Sequence, residues 1–344
     1  MPHHLLCLLT SLLLLLPSVG LTGEKSAAEQ VRDKEPIELN QPRYQELFAE
    51  LRAVHGFSQK ELDALFTGVN ISRRVLELMD TQWEAKPYYQ YEPLFVTRSS
   101  IKKGQEMMRR YRVLLEQIEQ QFGVDREIVI AIWGIETRYG ANQGGFNVFR
   151  TLNTLFAAYP RRSQFFRGQL IEFLLLCREN SVDPRQVKGS YAGAFGQTQF
   201  IPSSFRRYGV SFDGDTRVDV WNSVPDILAS IANYLQQFGW VLDAPCAVDI
   251  GNELHDPRLV AAYHKGRNGH VSREVVMQSQ GLEMPRSPAG LPLTIVGLKR
   301  DPKEKDTMRY LAGYPNFQAI TAWNHSNSYA MAVSALGRAI ASEH

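Results

Sequence analysis

One glutamate stands out because apolar residues surround it. Glu136 lies in a segment, residues 126–139, whose periodicity predicts a helix. A rotation of about 100° per residue places it on the same helix face as Val129, Ile132 and Trp133. Such neighbours disfavour the ionised carboxylate, so we expect the pKa of Glu136 to lie above that of a free glutamate. A carboxyl group that keeps its proton can protonate the oxygen of a glycosidic bond.

The helix pattern alone fits a second interpretation equally well, namely a structural glutamate held by an ion pair or by backbone donors. Hydrolysis of a glycosidic bond generally requires two carboxyl groups that flank the bond. No second acidic residue in a comparable apolar setting lies near Glu136 in the sequence. The acidic residues that do cluster are Asp213, Asp215 and Asp219, and their spacing suggests another role.

The segment that contains this acidic cluster, residues 211–219 leading to Asp226, alternates oxygen-bearing side chains as a calcium loop does. Three departures weaken the pattern: Ser211 replaces the expected first aspartate, Arg217 adds a positive charge, and no glutamate occupies the last ligand position. The sequence therefore leaves two alternatives. The segment is either a structural Ca²⁺ site with Asp213, Asp215 and Asp226 as ligands or an Asx-rich turn without an ion.

A loop rich in small residues, residues 189–200, interleaves glycine and alanine with aromatic side chains. Such a loop permits close approach of the backbone to an extended ligand, to which Ser190 and Gln199 would offer hydrogen bonds. No lysine follows its glycines, so it is not a phosphate-binding loop. Tight packing between helices is the alternative that the loop composition alone favours.

Aromatic and basic side chains elsewhere could bind a sugar polymer. Aromatic rings stack on the apolar faces of sugars, and the candidates are Tyr88, Tyr89, Tyr91, Tyr234, Trp323 and Tyr329. Scattered aromatic residues also commonly form a core. Arg161 and Arg162 follow Pro160, and their guanidinium groups suit the carboxylates of a substrate, although a solvated helix start would look the same.

The elements that must position these residues are mainly helical. Ser58 is a predicted N-cap, Gly123 a predicted helix end, and Asp125 and Gly140 the predicted boundaries of the helix that carries Glu136. Residues 86–96 look irregular. The other predicted helices cover residues 44–79 in two pieces, 99–122 as one long helix, 163–180, 224–238 and 329–342, and a strand is predicted at 293–298.

The amino terminus predicts export. An apolar run from Leu5 to Leu16 is followed by Pro17 and then by small residues at 18–20, which is the pattern of a cleaved signal peptide. An uncleaved membrane anchor is the alternative, but the run is short for a helix that needs about 20 residues. No other run approaches that length, so we expect no transmembrane segment in the mature protein.

The chain has 344 residues, which is long enough to form a hydrophobic core. Its formal net charge of +2 is too small to indicate nucleic-acid binding. Cys7 lies inside the apolar run, where a lipid-modified cysteine is not expected. Cys177 and Cys246 permit one disulfide in an oxidising compartment, or two free thiols, of which Cys177 ends an apolar run. Their separation argues against a structural zinc site.

Together these segments resemble the membrane-bound lytic transglycosylase B family of bacteria, including its soluble members. The resemblance covers most of the chain after about residue 40, and the blocks occur in the order of the family. The blocks are IWGIETRYG at 132–140, YPRR at 159–162, GSYAGAFGQTQFIPSS at 189–204, WNSVPDILASIANY at 221–234, and ITAWNHS at 320–326 with YAMAV at 329–333.

The resemblance implies a mainly α (α+β) fold class, with a lysozyme-like helical core, an accessory helical domain and a small β-containing domain. The expected boundaries are a signal peptide at 1–20, a flexible leader at 21–40, an accessory helical segment at 41–98, the catalytic core at 99–240, a return to the accessory domain at 241–285, a β insertion at 286–318 and a C-terminal segment completing the core at 319–344.

The resemblance also implies the chemistry. Enzymes of this family cleave the β-1,4 bond between N-acetylmuramic acid and N-acetylglucosamine without water, and they need no cofactor. Their single glutamate, which matches Glu136, gives a proton to the glycosidic oxygen and then takes one from the muramyl 6-hydroxyl, which leaves a 1,6-anhydro end. By position, the residues implied to line the groove are Ser190, Gln199, Tyr234, Asn324, Tyr329 and Tyr91, and Arg161 and Arg162 match a peptide-contacting pair.

This sequence departs from the family at Trp323, where a tyrosine is usual; a sugar contact would survive that change, whereas a role of the hydroxyl would not. Two other functions stay open: a lysozyme-like muramidase that uses water, and a wall-binding protein without catalysis. The expected partners are peptidoglycan strands, together with proteins of cell-wall synthesis or division, and the expected location is the periplasm.

Overall fold

The computed structural model of the chain describes residues 26–80, 86–301, 303 and 307–342. The predicted signal peptide at 1–20 lies outside these residues. The predicted mainly α fold class is confirmed, because helices form most of the described structure and the strands are short. None of the described helices is both long enough and apolar enough to cross a membrane.

Fifteen α-helices occur in the described residues, joined by short 3₁₀ turns. They are α1 (Pro42–Ala53), α2 (Gln59–Phe66), α3 (Arg73–Asp80), α4 (Tyr88–Tyr91), α5 (Arg98–Arg110), α6 (Arg112–Phe122), α7 (Arg126–Thr137), α8 (Val148–Ala158), α9 (Ser163–Glu179), α10 (Pro202–Tyr208), α11 (Val224–Gln237), α12 (Pro257–His264), α13 (Arg273–Gln280), α14 (Pro315–Trp323) and α15 (Asn327–Ala341). The 3₁₀ turns are Ala27–Gln30, Glu92–Leu94, Pro160–Arg162, Gly266–Asn268 and Pro288–Gly290.

The helix boundaries predicted at Ser58 and Gly123 are confirmed. The Ser58 side chain accepts a hydrogen bond from the Glu61 backbone N–H, and Gly123 adopts the left-handed conformation with φ 64° after α6. The single long helix predicted at 99–122 is wrong, because the chain breaks at Tyr111. The break lets α5 pack against α7 and α15 while α6 turns to pack against α11. The Tyr111 ring lies edge-on to Trp133, with the ring centroids 6.2 Å apart.

Helix α7 ends at Thr137, three residues before the predicted end at Gly140. Arg138 and Tyr139 both adopt positive φ values, 53° and 58°, so the chain reverses at once. The reversal returns the Tyr139 ring to the helix, where it lies edge-on to Trp133. Its hydroxyl donates to the Ser100 carbonyl at 2.8 Å. The ring occupies the space beside Gly134, where a Cβ atom would lie only 2.6 Å from it.

The strands form two antiparallel sheets. A two-stranded sheet joins β1 (Phe146–Asn147) to β2 (Lys188–Gly189), and a four-stranded sheet has the order β3-β6-β5-β4. The predicted strand at 293–298 is confirmed as β5. The sheet also includes β3 and β4 from residues 241–285, the segment assigned from the sequence to the accessory helical domain. Neither strand was predicted, because both are short and show no clear alternation of apolar and polar residues. The strands of the larger sheet are β3 (Ala247–Gly251), β4 (His270–Val271), β5 (Leu293–Leu298) and β6 (Arg309–Gly313).

Two hydrophobic cores support the described structure. The larger core is continuous from the early helices through α7 and α11 to α15, so residues 41–98 share their core with residues 99–240. The smaller core lies between the four-stranded sheet and helices α12 and α13. Its buried members are Ile250, Leu259, Ala262, Val271, Val276, Met284, Leu293, Ile295, Ala312 and Tyr314.

The segment 26–40, predicted to be a flexible leader, is packed in the described structure, and the prediction is wrong there. Its backbone pairs with the chain before α3: the Lys34 N–H donates to the Ile71 carbonyl at 2.9 Å, and the Ile71 N–H donates to the Glu35 carbonyl at 2.8 Å. Ala28 and Ile37 are buried in the larger core. Two anchors in a polar segment produce no periodicity, which explains the error.

Cys177 and Cys246 are both free thiols, so the alternative without a disulfide holds. Burial raises the pKa of each thiol to about 12. Both groups therefore stay protonated near neutral pH and contribute as apolar side chains.

Candidate functional site

Glu136 lies in the last turn of α7 and is 3% exposed. The surrounding helix is buried on all sides from Ile128 to Thr137, so the apolar face predicted from the sequence is a fully buried segment. Two side chains donate hydrogen bonds to the same carboxylate oxygen: Trp323 Nε1 lies 2.8 Å and the Tyr329 hydroxyl 2.6 Å from Glu136 Oε1. These distances are typical of hydrogen bonds to an ionised carboxylate.

Burial and the two donors act in opposite directions on the acidity of Glu136. Burial favours the protonated form, whereas hydrogen bonds donated to the carboxylate favour the ionised form. The raised pKa expected from the sequence therefore stays a prediction. Burial also raises the pKa of Tyr329 well above its usual range, and the nearby charge of Glu136 raises it further. The Tyr329 hydroxyl thus remains a donor at every working pH.

A tight turn between α14 and α15 brings both donors to Glu136. Trp323 is the last residue of α14, and Tyr329 lies in the first turn of α15. Between them, Asn324 Oδ1 accepts a hydrogen bond from the Ser326 N–H at 3.2 Å, and the Ser326 hydroxyl caps α15 by accepting one from the Tyr329 N–H at 3.2 Å. Asn324, a predicted groove residue, is 1% exposed and shapes this turn.

Aromatic rings hold Trp323 in place. Its indole packs against Phe200 at 4.9 Å and against Tyr234 at 4.8 Å between centroids. Tyr234 is itself fixed, because its hydroxyl donates to the Ala322 carbonyl at 2.7 Å. On the other side, the Tyr234 ring stacks on Phe238 at 4.5 Å, and Phe238 is 40% exposed. A continuous set of rings therefore leads from Glu136 to the surface.

The glycine-rich loop, residues 189–200, packs beside this aromatic set through Phe200. Ser190 is fully buried, and its Oγ accepts hydrogen bonds from the backbone N–H groups of Ala192 at 3.3 Å and Ala194 at 3.0 Å. Gln199 has a positive φ of 49° and donates through Nε2 to the Gly196 carbonyl at 2.8 Å. Within the described structure, Gln199 Oε1 is a buried acceptor without a hydrogen-bond partner.

Gln197 connects this loop to α7, and the sequence reasoning missed it. Its Oε1 accepts from Trp133 Nε1 at 2.8 Å, while its Nε2 donates to the Trp221 carbonyl at 2.8 Å. The hydroxyl group of Thr137, the residue next to Glu136, donates a hydrogen bond to the Gln197 carbonyl at 3.4 Å and accepts one from the Gly140 N–H at 3.0 Å. A polar side chain inside an apolar loop was the only available signal, and it does not identify a partner 64 residues away.

The remaining predicted groove and peptide residues lie in two places. Tyr91 ends α4, which packs against α15, and its buried ring contacts Phe95 at 5.0 Å. Arg162 places its guanidinium over the Phe165 ring at 4.3 Å. Arg161 is exposed and lies near Asp80. Burial raises the pKa of the Asp80 carboxyl group, whereas a backbone hydrogen bond and the charge of Arg161 oppose the rise. The peptide-binding role of the two arginines stays a prediction.

The acidic loop before α11 uses its carboxylates to hold its own backbone. Asp226 is fully buried and accepts hydrogen bonds from the Phe212 N–H at 2.7 Å and the Asp219 N–H at 2.8 Å. Asp213 accepts from the Ser223 hydroxyl at 2.7 Å, which lowers its pKa, and Asp215 accepts from the backbone N–H of residue 217 at 2.6 Å.

No group of three or more His, Cys, Asp or Glu side chains in the described part of the chain is arranged to hold a metal ion. The assignment of Asp213, Asp215 and Asp226 as ligands of a structural Ca²⁺ ion stays a prediction. The geometry favours the other alternative left open by the sequence, an Asx-rich turn. Burial raises the pKa of Asp226, in agreement with a structural role.

Comparison with known proteins agrees with this geometry. The family model described as the transglycosylase SLT domain matches residues 40–338. Membrane-bound lytic murein transglycosylase B of Escherichia coli (strain K12) is 35% identical over 314 residues, which cover 88% of this chain and 83% of that protein.

Two solved structures are also similar. Soluble lytic transglycosylase SltB1 from Pseudomonas aeruginosa has a TM-score of 0.77 at 35% identity, covering 88% of this chain and 99% of that one. The Escherichia coli lytic transglycosylase Slt35, solved in complex with calcium, has a TM-score of 0.77 at 33% identity, covering 90% of this chain and 96% of that one. The chain therefore belongs to the family of lytic murein transglycosylases.

Proposed function

We propose that the chain cleaves the β-1,4 bond between N-acetylmuramic acid and N-acetylglucosamine in peptidoglycan without water, leaving a 1,6-anhydromuramic end, with Glu136 as the single acid and base. The observation that carries this proposal is the setting of Glu136, a buried carboxylate whose Oε1 receives two side-chain donors. The only other comparably buried carboxylate among the described residues is Asp226, which holds the loop before α11.

A single carboxyl group is sufficient for this reaction. In the first step the protonated Glu136 gives its proton to the glycosidic oxygen as the bond from that oxygen to C1 of the muramyl ring breaks. In the second step the Glu136 carboxylate takes the proton of the muramyl 6-hydroxyl while O6 bonds to C1. The proton lost in the first step is regained in the second, so no water and no second carboxylate are consumed.

The geometry supports roles for the neighbouring residues. Tyr329 and Trp323 stabilise the Glu136 carboxylate that forms after the first proton transfer. The unpartnered Gln199 Oε1 is available to accept a hydrogen bond from a substrate amide or hydroxyl group. Ser190, Tyr234, Asn324 and Tyr91 shape the walls of this site, and we assign Arg161 and Arg162 to the stem peptide.

The proposed site of action is the periplasm, reached by a cleaved signal peptide at residues 1–20. The pattern of apolar and small residues in the sequence supports this assignment. Recruitment by proteins of cell-wall synthesis or division is proposed from the family resemblance.

Product analysis tests the proposed reaction. Purified peptidoglycan is digested in water enriched in heavy oxygen, and the released muropeptides are measured by mass spectrometry. We expect anhydromuramic ends, each lighter by one water than a reducing end and without heavy oxygen. Reducing muramic ends that carry heavy oxygen would instead establish a hydrolase. Binding of the wall without any release of muropeptides would establish a non-catalytic protein.

Glu136→Gln tests the assignment of the catalytic residue. We expect a loss of at least about a thousandfold in the rate of muropeptide release, because the same group supplies both acid and base catalysis. The amide oxygen of glutamine can still accept the two hydrogen bonds, so the fold should persist. Glu127→Gln is the matched control, since Glu127 lies in the first turn of the same helix α7. Comparable rates for the two variants would exclude Glu136 as the catalyst.

A further inference from the structure

Glu136 lies in the last turn of α7, where a helix has the least internal support. The final carbonyl groups of a helix lack partners within the helix, and its last turn frays easily. Here the chain also reverses directly after the helix, because Arg138 and Tyr139 both adopt positive φ values, 53° and 58°. The placement of the Glu136 carboxyl group therefore depends on contacts that hold this turn from outside α7.

Gln197 of the glycine-rich loop provides two such contacts. Its side-chain Oε1 accepts a hydrogen bond from Trp133 Nε1 at 2.8 Å, and its backbone carbonyl accepts one from the Thr137 hydroxyl at 3.4 Å. Trp133 lies one helical turn before Glu136, and Thr137 follows Glu136 directly. Gln197 therefore holds the final turn of α7 at a position before the glutamate and at a position after it.

The partners of Gln197 fix the orientation of its amide group. The indole N–H of Trp133 can only donate, so it must face the amide oxygen. The Trp221 carbonyl can only accept, and Gln197 Nε2 donates to it at 2.8 Å. The Gln197 backbone N–H also donates to the Val220 carbonyl at 2.7 Å. Gln197 is thus bonded to the segment before α11, and it anchors α7 to that segment.

Resting on the function proposed above, we propose that Gln197 is a positioning residue for the catalytic step. It fixes the final turn of α7, so that the Glu136 carboxyl group meets first the glycosidic oxygen and then the muramyl 6-hydroxyl in the correct place. Trp323 and Tyr329 bond to the carboxylate itself, whereas Gln197 holds the backbone that carries it. In this role Gln197 exchanges no proton with the substrate.

The substrate contact proposed for the same loop does not depend on the Gln197 side chain. Gln199 Nε2 donates to the Gly196 carbonyl at 2.8 Å and to the Gln143 carbonyl at 3.2 Å. These bonds, and the bond from the Gln197 backbone N–H to Val220, remain when the amide group of Gln197 is removed. Substrate binding should therefore persist in such a variant while the catalytic step slows.

The test is Gln197→Met, which keeps the length of the side chain and removes both of its hydrogen bonds. We expect kcat to fall about tenfold to a hundredfold with little change in KM, because a catalytic group displaced by about 1 Å loses rate on that scale. The measurement is the rate of muropeptide release at several substrate concentrations. Trp133→Phe removes the same bond from the other partner and should also lower kcat more than it changes KM. The loss of kcat in the double variant should be well below the product of the two single losses, because both substitutions remove one shared bond.

Gln169→Met is the matched control. Gln169 is also a buried glutamine with two side-chain hydrogen bonds: its Nε2 donates to the Ser203 hydroxyl at 2.9 Å, and its Oε1 accepts from the Ser203 N–H at 3.0 Å. These bonds join α9 to α10. The control variant should lose thermal stability and keep the kcat and KM of the parent enzyme. Thermal melts confirm that each variant is folded at the temperature of the assay.

Four results would overturn the proposal for Gln197: a folded Gln197→Met enzyme with the kcat of the parent, a rise in KM at unchanged kcat, an equal loss of kcat in Gln169→Met, or fully multiplicative losses in the double variant with Trp133→Phe. If Gln197→Met does not fold, the kcat and KM of Trp133→Phe decide by the same criteria. Failure of the proposed function gives a different result. If Glu136→Gln remains active or the products carry reducing ends, the function itself is wrong, whatever the rates of the Gln197 variants.

Discussion

Removal of one hydroxyl group, by Tyr329→Phe, tests the hydrogen bonding of Glu136 with little change in shape. Tyr329 is fully buried, and its hydroxyl lies 2.6 Å from Glu136 Oε1. A hydrogen bond to a charged group contributes about 1.5 to 3 kcal/mol. If that stabilisation acts on the carboxylate formed as the proton leaves, its loss corresponds to a fall in kcat of about tenfold to a hundredfold.

The expected pH dependence has a definite sign. The donor favours the ionised form of Glu136, so its removal favours the protonated form. Because the pKa of Tyr329 is raised by burial, Tyr329 itself does not ionise in the working range. The alkaline limb of kcat/KM should therefore move to higher pH in the variant, and the shift belongs to Glu136.

The assay is the rate of soluble muropeptide release across pH, with kcat and KM determined separately. Tyr314→Phe is the matched control: Tyr314 is also fully buried, and its hydroxyl donates to the Pro285 carbonyl at 2.8 Å in the small sheet region. A folded Tyr329→Phe enzyme with the kcat and profile of the parent would refute the assigned role. The double variant with Trp323→Phe should depart from additivity, because both donors share one acceptor atom.

Two further predictions concern stability and metal binding. Gly134→Ala should lower the free energy of unfolding by about 1 to 3 kcal/mol in urea melts, because the new Cβ would lie 2.6 Å from the Tyr139 ring. Gly168→Ala in α9 is its control and should be neutral or stabilising, since nothing lies within 4 Å of that Cβ. Addition of Ca²⁺ or a chelator should leave the melting temperature unchanged, because Asp213, Asp215 and Asp226 already hold loop donors. A calcium-dependent rise in melting temperature would show that the loop binds the ion.

Local signals in the sequence predicted local structure well. Ser58 and Gly123 were assigned correctly because capping and a left-handed conformation depend on neighbouring residues alone. The strand at 293–298 was also found, since its apolar and β-branched residues occur between turn-forming residues. The early end of α7 was not found. It depends on the Tyr139 ring filling the space beside Gly134, a contact that no helix-ending pattern encodes.

The candidate site shows the same division between local and distant information. The sequence placed Glu136 among apolar neighbours, and it is buried. Its two donors come from residues 187 and 193 positions away, so no periodicity or spacing near Glu136 identifies them. The family resemblance named Tyr329 but treated Trp323 as a departure that would lose any role of a hydroxyl. The indole N–H provides a donor at that position instead.

Two donors on one carboxylate oxygen suit the proposed use of a lone carboxyl group as both acid and base. An inverting hydrolase divides the acid and base roles between two carboxyl groups on opposite sides of the sugar ring, so no single carboxyl group performs both. In the reaction proposed for this chain, the nucleophile is the 6-hydroxyl of the same muramyl ring, so proton donation and proton uptake occur on one side. A carboxyl group used twice must be stabilised in its ionised form between the two steps. The indole N–H of Trp323 and the hydroxyl of Tyr329, which both donate to Glu136 Oε1, provide that stabilisation.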